Sequence, residues 1–212
     1  MLQVQRNNLV TVKMVVLANS FKHGGRCVAG KCLTTKKWIR PVSDQNGGAI
    51  PSNQATAENI YGKYLTKPLQ KISLDLIQHV PLVNQPENFL IKPTQWQQNY
   101  KIKPHQLNDY IDEPDDIWGD NSRVSYSDIK RGIVDIDHSI YLVSVDDLKL
   151  FIDRQGKRKV EFSYHGISYC LPATDPNFNN LLNDQANLMS VLCISLACKY
   201  KDYCYKVVAT IF

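Results

Sequence analysis

No stretch of this sequence approaches the roughly 20 consecutive apolar residues that a membrane-spanning helix requires. No G-x-S-x-G, H-E-x-x-H or C-x-x-C occurs, which removes the serine-elbow hydrolases, the zinc proteases and the compact zinc ribbons as readable signals. No repeat of 20–50 residues and no low-complexity tract is visible, so no solenoid is expected. The first 20 residues, MLQVQRNNLVTVKMVVLANS, contain a short apolar run broken by Lys13. They lack a basic n-region and an A-x-A site, so no signal peptide is expected and a cytoplasmic location is the default. Six cysteines in that setting are expected as thiols rather than disulfides. Cys27 and Cys32 would point to opposite faces of a strand, which disfavours a shared metal ion, and neither a metal nor a cofactor is expected.

What is present is an uneven charge. Residues 1–71 carry 11 Lys/Arg against 2 Asp/Glu, while residues 72–212 carry 14 against 18. The positive field therefore belongs to the first third of the chain, a pointer to a polyanionic partner that competes with a merely solvated basic face. Within 109–120 there are six acidic residues and no basic one. That strip reads first as a solvated connector and second as a segment that docks on the basic third.

Periodicity is mostly that of strands. VTVKMVVLA (10–18), RCVAGKCLT and WIRPV form a meander of three short strands, with Gly30 as a bulge or a point of close approach. KISLDLIQHVPL alternates, with Ile72, Leu74 and Leu76 on one face. QPENFLIKP follows as a strand. TQWQQNY and HQLNDYI look like short helices, and the polar stretch 44–59 like a long loop. SIYLVSVDDLKLFID opens a second β-rich half. Strands 158–164 and 167–171 are joined by a His165-Gly166 turn, and NFNNLLNDQANL reads as a short helix. MSVLCISLA and CYKVVATIF close the chain as strands.

Gly25-x-x-x-x-Gly30-Lys31 is followed by Cys32, one residue short of a P-loop. A P-loop needs a helix after its lysine and a hydroxyl for magnesium. Here CLTTKKWIRPVS is β-branched and runs into Pro41, so a turn and a barrel strand are expected instead of a nucleotide cradle.

The strings VVLANSFKHGGRCVAGK, WIRPVS, QPENFLI, SYHGISYCLPATDPNF and CISLACKYKDYCYKVVATIF, in this order, resemble the prokaryotic dual OB-fold-containing domain family from about residue 10 to the end. The resemblance implies an all-β chain of two tandem small OB-like β-barrels joined by a partly helical acidic linker, with boundaries at 1–95, 96–135 and 136–212. It supplies no catalytic mechanism. The chain departs from the family pattern in two places. A glycine-containing turn before YCYKVVA is replaced by ACKYKDYCYK, and 44–70 has no counterpart.

OB barrels commonly bind oligonucleotides or oligosaccharides. The expected function is therefore non-enzymatic nucleic-acid binding, single-stranded or structured, by a basic surface of the first barrel. Lys22, His23, Arg26, Lys31, Lys37, Trp38 and Arg40 are the candidate contacts. Trp38 has two readings, core or base-stacking platform. Asp175, Tyr203, Tyr205 and Lys206 are secondary candidates. Asp175 also reads as a turn former. Two alternatives stand: an enzyme or sensor taking a nucleotide-derived small molecule at the 20–26 turn, and a protein-interaction module. No membrane partner is expected.

Overall fold

The computed structural model describes residues 9–22 and 24–212, and for Lys22 the backbone alone. Nine strands come first: β1 (Val10–Lys22), β2 (Gly25–Cys32), β3 (Trp38–Val42), β4 (Ile50–Pro51), β5 (Thr56–Asn59), β6 (Gly62–Leu65), β7 (Gln70–His79), β8 (Asn88–Ile91) and β9 (Trp96–Lys101). A 3-10 segment, Pro104–Tyr110, leads to β10 (Arg123–Ser125) and helix α1 (Tyr126–Lys130). Then come β11 (Ile140–Ser144), β12 (Asp146–Ile152), β13 (Arg158–Tyr164), β14 (Ile167–Pro172), helix α2 (Phe178–Leu182), a 3-10 turn at Gln185–Asn187, β15 (Val191–Leu196) and β16 (Tyr203–Ile211).

Strand β1 serves two partners. Val10–Val15 pair with β7, and Met14–Lys22 pair with β2. β2 continues to β3, β3 runs parallel to β8, and β8 returns antiparallel to β7. The circuit β1-β2-β3-β8-β7-β1 is a closed five-stranded barrel. The tight turn of β1 over β2 has a local cause. A Cβ on Gly30 would lie 1.9 Å from the Val15 carbonyl oxygen, so only glycine permits the crossing. The bulge sits on the partner strand: Val16 faces Gly30 and Ala18 faces Ala29, leaving Leu17 as the extra residue.

The second half repeats the circuit. Its first strand is broken at Val145, so that β11 pairs with β15 and β12 with β13. β13 pairs with β14, and β15 with β16. The end of β14 closes in parallel on β16 through Ala173 and Val208, where the Thr174 amide donates to the Val208 carbonyl at 2.8 Å. Each circuit joins its third and fifth strands in parallel, the winding of an OB barrel. The all-β, two-barrel architecture expected from the sequence is therefore the observed one.

The two barrels differ in the connection between their third and fourth strands. In the second barrel it carries α2, whose Phe178 is fully buried in that core. In the first it carries β4, β5 and β6. Alternation along β1 explains how the barrels join. Met14 and Val16 fill the first barrel, while Val15 and Leu17 face outward into an apolar layer with Trp38, Leu107, Leu142 and Cys193. Residues 14–18 of β1 are buried on both faces, which is why MVVLA reads as an unbroken apolar run after Lys13.

Two local expectations are corrected and a third holds. TQWQQNY is not helical: β9 pairs with β7 and inserts Trp96 into the first core. HQLNDYI is the short helix expected, of 3-10 type and opening at Pro104. The 44–59 stretch is not one loop, because β4 joins β2 and β5 forms a hairpin with β6. The His165-Gly166 turn is as expected, with both residues at positive φ. Among the described residues no helix is long and apolar enough to cross a membrane.

Candidate functional site

Lys31, Trp38 and Arg40 are each no more than 5 % exposed, so they do not form the basic, aromatic surface expected of them. The physical reason is that each is consumed by an internal partner. Lys31 Nζ donates to the Tyr110 carbonyl at 2.8 Å and to Asp112 Oδ1 at 2.5 Å, and Trp38 Nε1 donates to Asp112 Oδ2 at 3.0 Å. Arg40 Nε donates to Glu87 Oε1 at 3.0 Å, and its Nη2 reaches Ser139 Oγ at 2.8 Å and Ser195 Oγ at 3.1 Å. Lys37 is exposed, but beside a different hollow with Val12, His79 and Phe89. The expectations placed on the Lys22 side chain and on His23 lie outside the described residues.

The acidic strip docks on the first barrel through Asp112, while its other five acidic residues are exposed. Asp112 takes the two bonds from the first barrel and also accepts from the Leu142 amide of the second at 2.9 Å. Downstream, the Pro114 carbonyl accepts from Tyr164 Oη at 2.7 Å, and the Gly119 carbonyl from Lys206 Nζ at 2.6 Å. Lys206 is fully buried against the Tyr169 ring, so it is not a surface contact. Burial pulls its ammonium down to about 8, against the raising pull of Asp116 and Asp120. Asp175 is the turn former: Oδ1 accepts from the Asn177 amide at 2.7 Å and Oδ2 from the Ile211 amide at 2.9 Å. Burial raises its carboxyl above the usual range despite those bonds.

The groups left at the surface gather elsewhere. The β1–β2 turn of the first barrel and the β15–β16 turn of the second converge on one cleft of about 470 Å³, lined by Ser20, Phe21 and Cys27 from one side and Lys199, Tyr200 and Tyr205 from the other. Phe21 is 59 % exposed and Tyr200 63 %. Cations ride on the rings: Arg26 lies 4.1 Å from the Phe21 centroid, Arg123 3.9 Å from that of Tyr203, and Lys201 5.7 Å from that of Tyr200. Tyr205 stands 6.4 Å from both Tyr200 and Tyr203. Of the expected residues, Tyr205 and Arg40 line this cleft, Arg40 from its buried floor, and Arg26 and Tyr203 adjoin it through Phe21 and Tyr205. Lys31, Lys37, Trp38, Asp175 and Lys206 are not brought to it. Cys27 lines this cleft beside Arg40, at 3.6 Å, while Cys32 lines the hollow with Lys37, so the strand separates the two thiols as expected.

Sequence reasoning missed Arg123 and the meeting of the two turns. No local signal could reveal them, because Phe21 and Tyr200 are joined only by the way one barrel seats on the other.

A turn that links strands one and two, and another that links strands four and five, are the loops by which OB barrels bind their ligands. No curated protein is significantly similar to the sequence. The family model of the dual OB-containing domain matches residues 12–211, nearly the whole chain. With two barrels of OB winding present over the same span, the chain belongs to the dual OB-containing domain family.

Proposed function

We propose that the chain binds single-stranded nucleic acid, without chemistry, along the cleft where the β1–β2 turn and the β15–β16 turn meet. The observation that carries this reading is the pair Phe21 and Tyr200. They are two largely exposed aromatic rings from different barrels on one cleft, each with a cation against it. Exposed rings offer stacking faces to any base, and the flanking cations neutralise phosphates. Arg123 and Lys199 extend the positive rim beyond the rings. The basic character of the first third supports the reading only through Arg26, since Lys31 and Arg40 are spent inside.

Fluorescence anisotropy of a labelled single-stranded oligonucleotide at two salt concentrations tests it. Binding that weakens as salt rises is the expected result. Absence of binding at low salt removes the reading.

A further inference from the structure

Five buried side-chain polar atoms among the described residues have no hydrogen-bond partner, and three of them, Asn19 Oδ1, Arg26 Nε and Thr210 Oγ1, belong to residues lining one cleft. This cleft of about 480 Å³ lies between the barrels. Asn19 and Arg26 line this cleft, while Ser20, Phe21 and Cys27 of the same hairpin line the strand-binding cleft; Phe21 and Arg26 pair across β1 and β2, so the two clefts adjoin along them. Asn19 is 6 % exposed and Thr210 2 %. Each unpaired buried group costs stability, so three on one cleft from three different strands are not a neutral accident of packing.

The valences define a ligand. The Asn19 amide nitrogen is already committed to the Thr66 carbonyl, which leaves Oδ1 to accept one N–H. Arg26 Nε has one N–H to donate. The Thr210 hydroxyl can do either. Leu65, Pro68, Pro176 and Leu181 supply apolar walls. The Asp175 carboxylate at the edge is satisfied by two backbone amides, so it demands no cation. A mostly apolar cleft with a few placed polar groups is the ordinary form of a small-molecule site.

We infer that this cleft holds a nucleobase, whose edge presents an N–H donor beside an acceptor and whose faces are apolar. The base comes either from a free nucleoside or from a strand bound at the neighbouring cleft. This inference goes beyond strand binding and rests on different atoms, with Arg26 alone shared.

The full chain is titrated with adenosine, guanosine, cytidine and uridine, and followed by the amide signals of residues around the cleft. At least one nucleoside is expected to saturate the site at millimolar concentration or below. Thr210→Val replaces the hydroxyl with a methyl group of the same shape. It is expected to leave the unfolding midpoint unchanged or raised, and to weaken the nucleoside about fivefold to tenfold. If the nucleoside displaces a bound oligonucleotide, the base belongs to the strand; if both bind together, the ligand is the free nucleoside; either result supports the site. Nucleoside binding without any strand binding supports it too, and overturns only the function proposed above. The inference is overturned if no nucleoside saturates the native chain, or if Thr210→Val binds all four as the native chain does.

Discussion

Arg40 and Glu87 form an ion pair that neither solvent nor the first barrel alone completes: Ser139 and Ser195 of the second barrel close its remaining valences. Glu87 also accepts from the amide and hydroxyl of Ser139. The pair is therefore a fastener between barrels. Replacing Arg40 by Met leaves a buried carboxylate without a counter-charge, and a loss of about 3–5 kcal/mol is expected. Replacing both partners by apolar residues should cost less than either single change. Urea unfolding of the two single variants and the double variant checks this.

Asp112 is the second fastener. Asp112→Ala strands the Lys31 ammonium and the Trp38 indole N–H in a buried layer and frees the Leu142 amide. A loss of about 3 kcal/mol is expected. It should be accompanied by faster hydrogen exchange at the Leu142 amide and a red shift of tryptophan emission as water reaches Trp38. A fall in stability without change at Leu142 would contradict the role given to Asp112.

These two fasteners show what the sequence can and cannot display. The strands of both barrels were readable, because alternation at Ile72, Leu74 and Leu76 and the His165-Gly166 turn are local signals. β9 was not, since TQWQQNY has only Trp96 to mark a buried face and takes its strand form from pairing with β7. The basic residues were visible, but their burial was not. Lys31 and Arg40 carry charges that ordinarily mean surface, and only the distant Asp112 and Glu87 make burial tolerable. The cleft lined by Phe21 and Tyr200 exists only once the barrels are seated together.

Lys206 makes stability depend on pH in the alkaline range. Its folded value, about 8, lies below the ordinary lysine value, so between the two the unfolded chain binds more protons than the folded one. Stability from this group is fully present above the ordinary lysine range and is lost as pH falls through about 8. Burial raises Tyr141 to about 12, and Tyr164 and Tyr169 upward, which works against the fold above the usual tyrosine range. Lys206→Met isolates the lysine. The native chain should gain stability relative to the variant as pH rises from 7 to 10 in paired unfolding curves. A pH-independent difference would contradict the assignment.

Lys201 occupies the β15–β16 turn at φ 55°, the left-handed region that favours glycine. Such a conformation costs a side-chain-bearing residue about 1–2 kcal/mol. Lys201→Gly should therefore stabilise the chain by about 1 kcal/mol in thermal or urea unfolding. It should also weaken oligonucleotide binding and flatten its salt dependence by about one phosphate contact, because the cation beside Tyr200 is lost.

Phe21 and Tyr200 belong to different barrels, so their joint action on one strand is the most direct measure of the proposed function. Anisotropy titrations of a labelled single-stranded oligonucleotide are compared for the native chain, Phe21→Ala, Tyr200→Ala and the double variant at low salt. Each single change is expected to cost about 1–3 kcal/mol of binding, and the double change at least as much as either alone, with folding intact because both rings are exposed. Affinities that are unchanged in both single variants would contradict the account.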